Sequence, residues 1–179
     1  MTPRPVQCPF KGMAICLVAA FFQLHFTPAA AAQGFTSRQT QIATWTVAEE
    51  STGDRLHSGS TFYLDIIATV ASGWHVYSLA IVPGGPAPTR IVLPQPQVVT
   101  LNGNVLAGPA KHRLDRAFHM QTSFYEDKAI FRVPLTVNER APSGRQNIFF
   151  DIHYQLCKAK QCKPPMTSQI VHAIAVAAD

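Results

Sequence analysis

Short apolar runs that alternate with polar residues, glycines and prolines between them, and no sustained helical period predict an all-β chain. The expected fold is one antiparallel β-sandwich. Thr61 to Val70 carries the plainest signal, with Phe62, Leu64, Ile66, Ala68 and Val70 on one face. Ala129, Phe131, Val133, Leu135 and Val137 repeat it, and so do Ile148, Phe150, Ile152 and Tyr154.

The chain has 179 residues, and residues 1–32 have the layout of a secretory signal peptide. Arg4 and Lys11 supply the positive start, Ala14 to Phe26 is mostly apolar, and Ala30-Ala31-Ala32 suits cleavage. Gln23 and His25 interrupt the apolar run, which is short for a spanning helix. Residues 33–179 then form the single expected domain, large enough to bury a core. An exported product without a membrane span in its mature form follows, in a compartment where disulfides persist. Loss of Arg4 and Lys11 lowers the formal net charge from +5 to +3. No basic blocks interleave with stacking aromatics, which speaks against a nucleic-acid partner.

Within the domain, Ile42 to Val47 reads as a first strand and Glu49 to Ser60 as a polar loop. Trp74 to Tyr77 follows Gly73 as a short aromatic strand. Val82 to Pro88 is too rich in glycine and proline to hold a ladder. Thr89 to Leu93 and Val98 to Leu101 are further short strands, the second ending at Asn102-Gly103. Lys111 to Gln121 mixes charges around Leu114, Phe118 and Met120, and reads as an irregular surface loop. Phe124-Tyr125 and then Glu126-Asp127-Lys128 suggest a strand and a tight turn. Pro134 suggests that the strand around it lies at an edge or carries a bulge. Gln146 to Tyr154 and Ser168 to Val176 close the sequence of strands.

The chemistry concentrates in Tyr154 to Pro165, which holds Cys157 and Cys162, the cysteines that outlast cleavage. Lys158, Lys160 and Lys163 place positive charge beside the pair, and His153 adds more when protonated. Positive charge favours thiolate, the attacking species in thiol–disulfide exchange. A second sulfur nearby is needed to resolve the mixed disulfide. A bond across so small a ring stabilises a fold by only about 2 kcal/mol, so the pair is weak as a staple and suited to a switch. Two alternatives stand beside it. One is a structural disulfide in a non-catalytic interaction module; the other is copper binding by His153, Cys157, Cys162, Met166 and His172. No cofactor or resident metal is expected on the exchange reading.

On Gly73-Trp74-His75-Val76-Tyr77, Phe118 to Tyr125, Phe131 to Leu135 with Pro134, and above all YQLCKAKQCKPP, the chain resembles the N-terminal periplasmic domain of the thiol:disulfide interchange protein DsbD and its disulfide-corrector relatives. The resemblance implies an immunoglobulin-like sandwich with the cysteines at one edge. It implies that Cys162 is the exposed attacking thiol and Cys157 its resolving partner, so both are catalytic. Phe118 falls on the family's aromatic cap, which shields the disulfide until a partner displaces it. His119 stands beside it where the family commonly has Gly or Tyr. The implied partners are a thioredoxin-like donor and periplasmic acceptors, either disulfide isomerases or thioredoxin-like proteins of cytochrome c maturation. The familiar enzyme carries its own membrane portion, so a separate membrane electron conduit is the expectation for this chain.

Overall fold

A computed structural model describes residues 41–49 and 56–178; the expected signal peptide lies outside them. Every element among the described residues is a strand. In chain order these are β1 (Ala43–Glu49), β2 (Thr61–Val70), β3 (His75–Tyr77), β4 (Arg90–Val92), β5 (Val99–Leu101), β6 (Leu106–Ala107) and β7 (Lys111–Asp115). They continue with β8 (Met120–Glu126), β9 (Lys128–Val137), β10 (Gly144–Tyr154), β11 (Leu156–Lys158), β12 (Gln161–Cys162) and β13 (Met166–Val176).

The strands form three antiparallel sheets, ordered β1-β2-β9-β5 with β6 also on β9, β13-β10-β4, and β12-β11-β3-β8-β7. The long alternating runs explain the layering. On β2 the five residues expected to face inward are all buried, and the same holds for Ala129 to Val137 on β9 and Ile148 to Tyr154 on β10. One core takes these faces together with Trp45, Val76, Tyr125, Leu156, Ile174 and Val176. The first sheet therefore packs against the other two, as a sandwich requires. Each fully buried Leu, Ile or Phe contributes about 1.5–3 kcal/mol.

Two expectations need correction. Lys111 to Gln121 is no irregular loop: it supplies β7 and the start of β8, paired from Lys111↔Phe124 to Asp115↔Met120. The strand β7 is an edge whose first four residues are exposed, so it carries no apolar alternation to read. The strand holding Pro134 is also not an edge, since β9 lies between β2 and the β5–β6 pair. Asn102 N–H donates to Pro134 O at 2.9 Å, so the missing N–H of Pro134 faces the gap between β5 and β6. A broken neighbour tolerates proline as an edge does.

Candidate functional site

The site is built where the chain leaves one sheet for another. Strand β10 ends at Tyr154, and β11 begins at Leu156 in the sheet of β3. Gln155 sits at the crossing, buried, with its Oε1 accepting from Ala87 N–H at 2.8 Å and its Nε2 donating to Lys163 O at 3.0 Å. One side chain thus ties the Gly- and Pro-rich loop before β4 to the residue following Cys162.

Strands β11 and β12 form a hairpin with Ala159 and Lys160 at its tip, and Cys157 lies directly opposite Cys162. The sulfurs are bonded, with Cα atoms 4.1 Å apart. Ala159 takes φ 53, a left-handed conformation that costs a residue with a Cβ about 1–2 kcal/mol. The preceding turn ends at Gly73, φ 78, where a Cβ would stand 3.2 Å from Lys158 Cε. Glycine there satisfies both the backbone and the close approach.

Residues directly opposite in an antiparallel pair share a face. Cys157 is opposite His75, and Tyr77 is opposite Phe124. The outer face of this sheet therefore gathers the disulfide, His75, Tyr77 and Phe124, while Val76, Tyr125 and Leu156 face the main core. Tyr77, Phe124 and Cys157 form a second, small apolar cluster, and half-buried Phe118 and Cys162 pack on it. Cys157 is 0% exposed, whereas Cys162 is partly open.

Phe118 belongs to the loop of residues 116–119 that joins β7 to β8. Asp115 sets this loop: its Oδ1 accepts from Ala117 N–H at 2.7 Å and Phe118 N–H at 3.2 Å. Aspartate caps a turn in this way because its short carboxylate reaches the next backbone donors. Its other oxygen accepts from the Tyr77 hydroxyl at 2.7 Å. The Phe118 ring meets Tyr77 edge-on at 6.1 Å. His119 takes φ 56 and is exposed, and Met120 beyond it lies against Gly85, where a Cβ would come within 2.9 Å of its Sδ.

His75 is almost wholly buried, packed at 4.8 Å on Phe124 and 5.1 Å on Tyr77. Arg113 Nη2 lies 3.1 Å from its Nδ1. Guanidinium only donates, so Nδ1 accepts and the ring proton sits on Nε2. That Nε2 has no hydrogen-bond partner and stands 3.8 Å from Asp115 Oδ2. Burial and then the charge of Arg113 push the His75 pKa down, outweighing the pull of Asp115 and Glu126. Burial pushes Asp115 up, but the Tyr77 hydroxyl and the two N–H donors outweigh it and hold the carboxyl below its usual range. Burial, followed by the Asp115 hydrogen bond, raises the Tyr77 hydroxyl far above the usual tyrosine range. Arg113 also lies 4.1 Å over the Phe124 ring and pairs with Glu126, which Lys111 holds from its other side.

Among the residues anticipated from sequence, Cys157, Cys162 and Phe118 are brought together. Lys158, Lys160 and Lys163 surround the hairpin and are exposed, with Lys163 Nζ drawn to 6.0 Å over Trp74. His153 faces outward on β10, its Nδ1 2.8 Å from Thr167 Oγ1, outside the cysteine cluster. The copper set is dispersed along β13, where Met166 and His172 are six positions apart, about 20 Å of strand. No group of three His, Cys, Asp or Glu side chains among the described residues could hold a metal. Sequence reading missed His75, Tyr77, Asp115 and Gln155 as site residues. A signal existed for two: in Trp74-His75-Val76-Tyr77, a buried Val76 sends His75 and Tyr77 to the opposite face.

A β-sandwich that carries a bonded cysteine pair on a short edge hairpin, one cysteine buried and the other partly exposed, is the form of a thiol–disulfide exchange domain. The sequence matches the family described as thiol:disulfide interchange protein DsbD, N-terminal, over residues 44–174, and the chain belongs to that family. The family is periplasmic. No helix among the described residues is long and apolar enough to cross a membrane. Among solved structures, the chain is similar to the DsbD N-terminal domain of Neisseria meningitidis in the reduced form. The identity is 14%, the TM-score 0.45, and the match covers 66% of this chain and 78% of that one. It is also similar to the N-terminal periplasmic domain of ScsB from Proteus mirabilis, at 14% identity and TM-score 0.49, over 75% of this chain and 47% of that one. No curated protein matches the sequence.

Proposed function

We propose that this domain relays electrons between thioredoxin-like proteins, accepting them from a donor served by a membrane conduit and passing them to oxidised periplasmic proteins. Disulfide isomerases and thioredoxin-like proteins of cytochrome c maturation are the acceptors in view. The observation that carries the reading is the unequal access to one disulfide: Cys157 is buried, and Cys162 is partly open beside Phe118.

The steps follow from that inequality. A donor thiolate attacks Cys162 Sγ, the Cys157–Cys162 bond breaks, and Cys157 leaves as thiolate. The donor's second thiolate then attacks its own sulfur in the mixed disulfide and frees Cys162, so two electrons have moved onto the domain. In the second half, Cys162 thiolate attacks an acceptor disulfide and expels one acceptor thiolate. Cys157 then attacks Cys162 Sγ, releases the reduced acceptor and restores the starting bond. Lys158, Lys160 and Lys163 favour the thiolate forms through their charge, with His153 a weaker contributor at its distance. Phe118, with His119 beside it, shields the bond from small thiols, and the reduced pair from small oxidants, until a partner moves the loop.

Equilibration with glutathione buffers tests this. A potential within the range of exchanging proteins, above about −300 mV, is expected. A value far below that marks a structural bond and ends the relay reading.

A further inference from the structure

We propose that the rim of the disulfide is a docking surface for a protein partner that carries acidic side chains beside its own reactive cysteine. This deepens the exchange reading and rests on it. A groove of about 450 Å³ runs between the cap hairpin and the cysteine turn, bounded by Arg113 and Arg116 on one side and by Ala159 and Gly73 on the other. Its wall includes Leu114, which is 60% exposed although it lies beside the site.

Charge decides what fits there. Two carboxylates line the groove, and both are engaged from within. Asp115 is 2% exposed and takes the Tyr77 hydroxyl and two backbone N–H groups. Glu126 is held by Lys111 at 2.8 Å and Arg113 at 3.2 Å, with Asp127 at the turn beyond them. Arg116, Lys158 and Lys160 are exposed and have no carboxylate partner among the described residues. Lys163 extends the same sign past Cys162, its Nζ 6.0 Å over the Trp74 ring. A partner approaching Cys162 thus meets a cationic ring with an apolar patch at Leu114. Acidic residues flanking an incoming thiol are steered to it, and basic ones are turned away. Nucleic acid or an anionic membrane would also answer to positive charge. The ring surrounds a reactive bond, however, and a thiol-bearing protein uses both features.

The test reduces the oxidised protein with three cysteine pentapeptides whose flanking residues are all glutamate, all serine or all lysine. Rates are compared at equal thiolate concentration and divided by each peptide's rate with a small uncharged disulfide, so differences in the peptides' own thiol pKa and nucleophilicity drop out. At low salt the glutamate peptide is expected to react on the order of tenfold faster than the lysine peptide. About 0.5 M salt should collapse the difference, because screening then acts within a few ångströms. A triple variant, Arg116→Glu, Lys158→Glu and Lys160→Glu, should reverse the order. The comparison is made among peptides within one protein, so any change in intrinsic reactivity cancels. Equal rates for all three peptides, or an unchanged order in the triple variant, would overturn the docking surface. Capture by phosphatidylserine vesicles without charge-selective exchange would overturn it in favour of a membrane surface. Dithiothreitol separates the layers: if this uncharged reductant also leaves the bond intact, the exchange reading itself fails.

Discussion

The Tyr77 hydroxyl donates to Asp115 Oδ2 at 2.7 Å across 38 positions of sequence, joining the disulfide cluster to the loop that carries Phe118. The other oxygen of the same carboxylate holds the backbone of Ala117 and Phe118. One buried carboxylate therefore ties Tyr77, which packs with Cys157, to the backbone that carries Phe118. Asp115→Ala leaves the Tyr77 hydroxyl and two backbone donors without their acceptor, at a cost of about 1–3 kcal/mol in urea unfolding of the oxidised domain. Reduction by dithiothreitol should also quicken, because the cap loop loses its tether. Unchanged reduction kinetics in a destabilised variant would confine Asp115 to a structural role.

Acid should weaken the fold in two stages. Unfolded His75 takes up a proton as the pH falls through 6.5, whereas folded His75, buried beside Arg113, resists until lower pH. Its contribution is therefore present above pH 6.5 and is lost on going below it. Asp115, depressed from 3.8, adds a further loss as the pH falls below that value. Urea titrations at several pH values should show stability falling as the pH drops below 6.5 in the native protein and a flatter profile in His75→Gln. The same slope in both proteins would exclude His75 as the source.

Phe118→Ala removes a half-buried ring from the cluster of Tyr77, Phe124 and Cys157. The stability cost should be small, about 1 kcal/mol, since only part of the ring leaves water on folding. Access to the disulfide should change more. Stopped-flow reduction by dithiothreitol is expected to accelerate on the order of tenfold, the equivalent of about 1.4 kcal/mol of lost shielding. A variant that loses stability but reduces at the native rate would make Phe118 an ordinary packing residue.

The strands that were legible in the sequence are those with one dry face. On β2, β9 and β10 every second residue must be apolar, and the pattern gives both element and register. The strand β7 was not legible, because Lys111 to Leu114 lie in water and only Asp115 is buried. Its place is fixed by pairing with β8, which composition does not reveal. Cys157 and Cys162 were legible because nothing else in the domain combines two thiols with flanking lysines. Asp115, His75 and Gln155 were not, since each acts through a partner many positions away: Tyr77, Arg113 and Ala87.

Gln155→Ala should show that the hairpin is anchored from outside its own ladder. The change orphans Ala87 N–H and Lys163 O, the two groups its amide now joins. A loss of about 1–2 kcal/mol is expected in urea unfolding. Amide hydrogen exchange should also rise at Gly84, Gly85 and Ala87 and around Lys163. Faster exchange at only one of these places would mean that the other is held by different contacts.

Trapping with single-cysteine variants tests the division of labour at the disulfide most directly. Cys157→Ser and Cys162→Ser are each reacted with an oxidised thioredoxin-like protein, and the mixed disulfide is measured on a non-reducing gel. Cys157→Ser, which leaves the open sulfur, should accumulate the covalent complex, and Cys162→Ser should form little or none. Equal trapping by the two variants, or trapping through Cys157 alone, would contradict the assignment of Cys162 as the exchanging thiol.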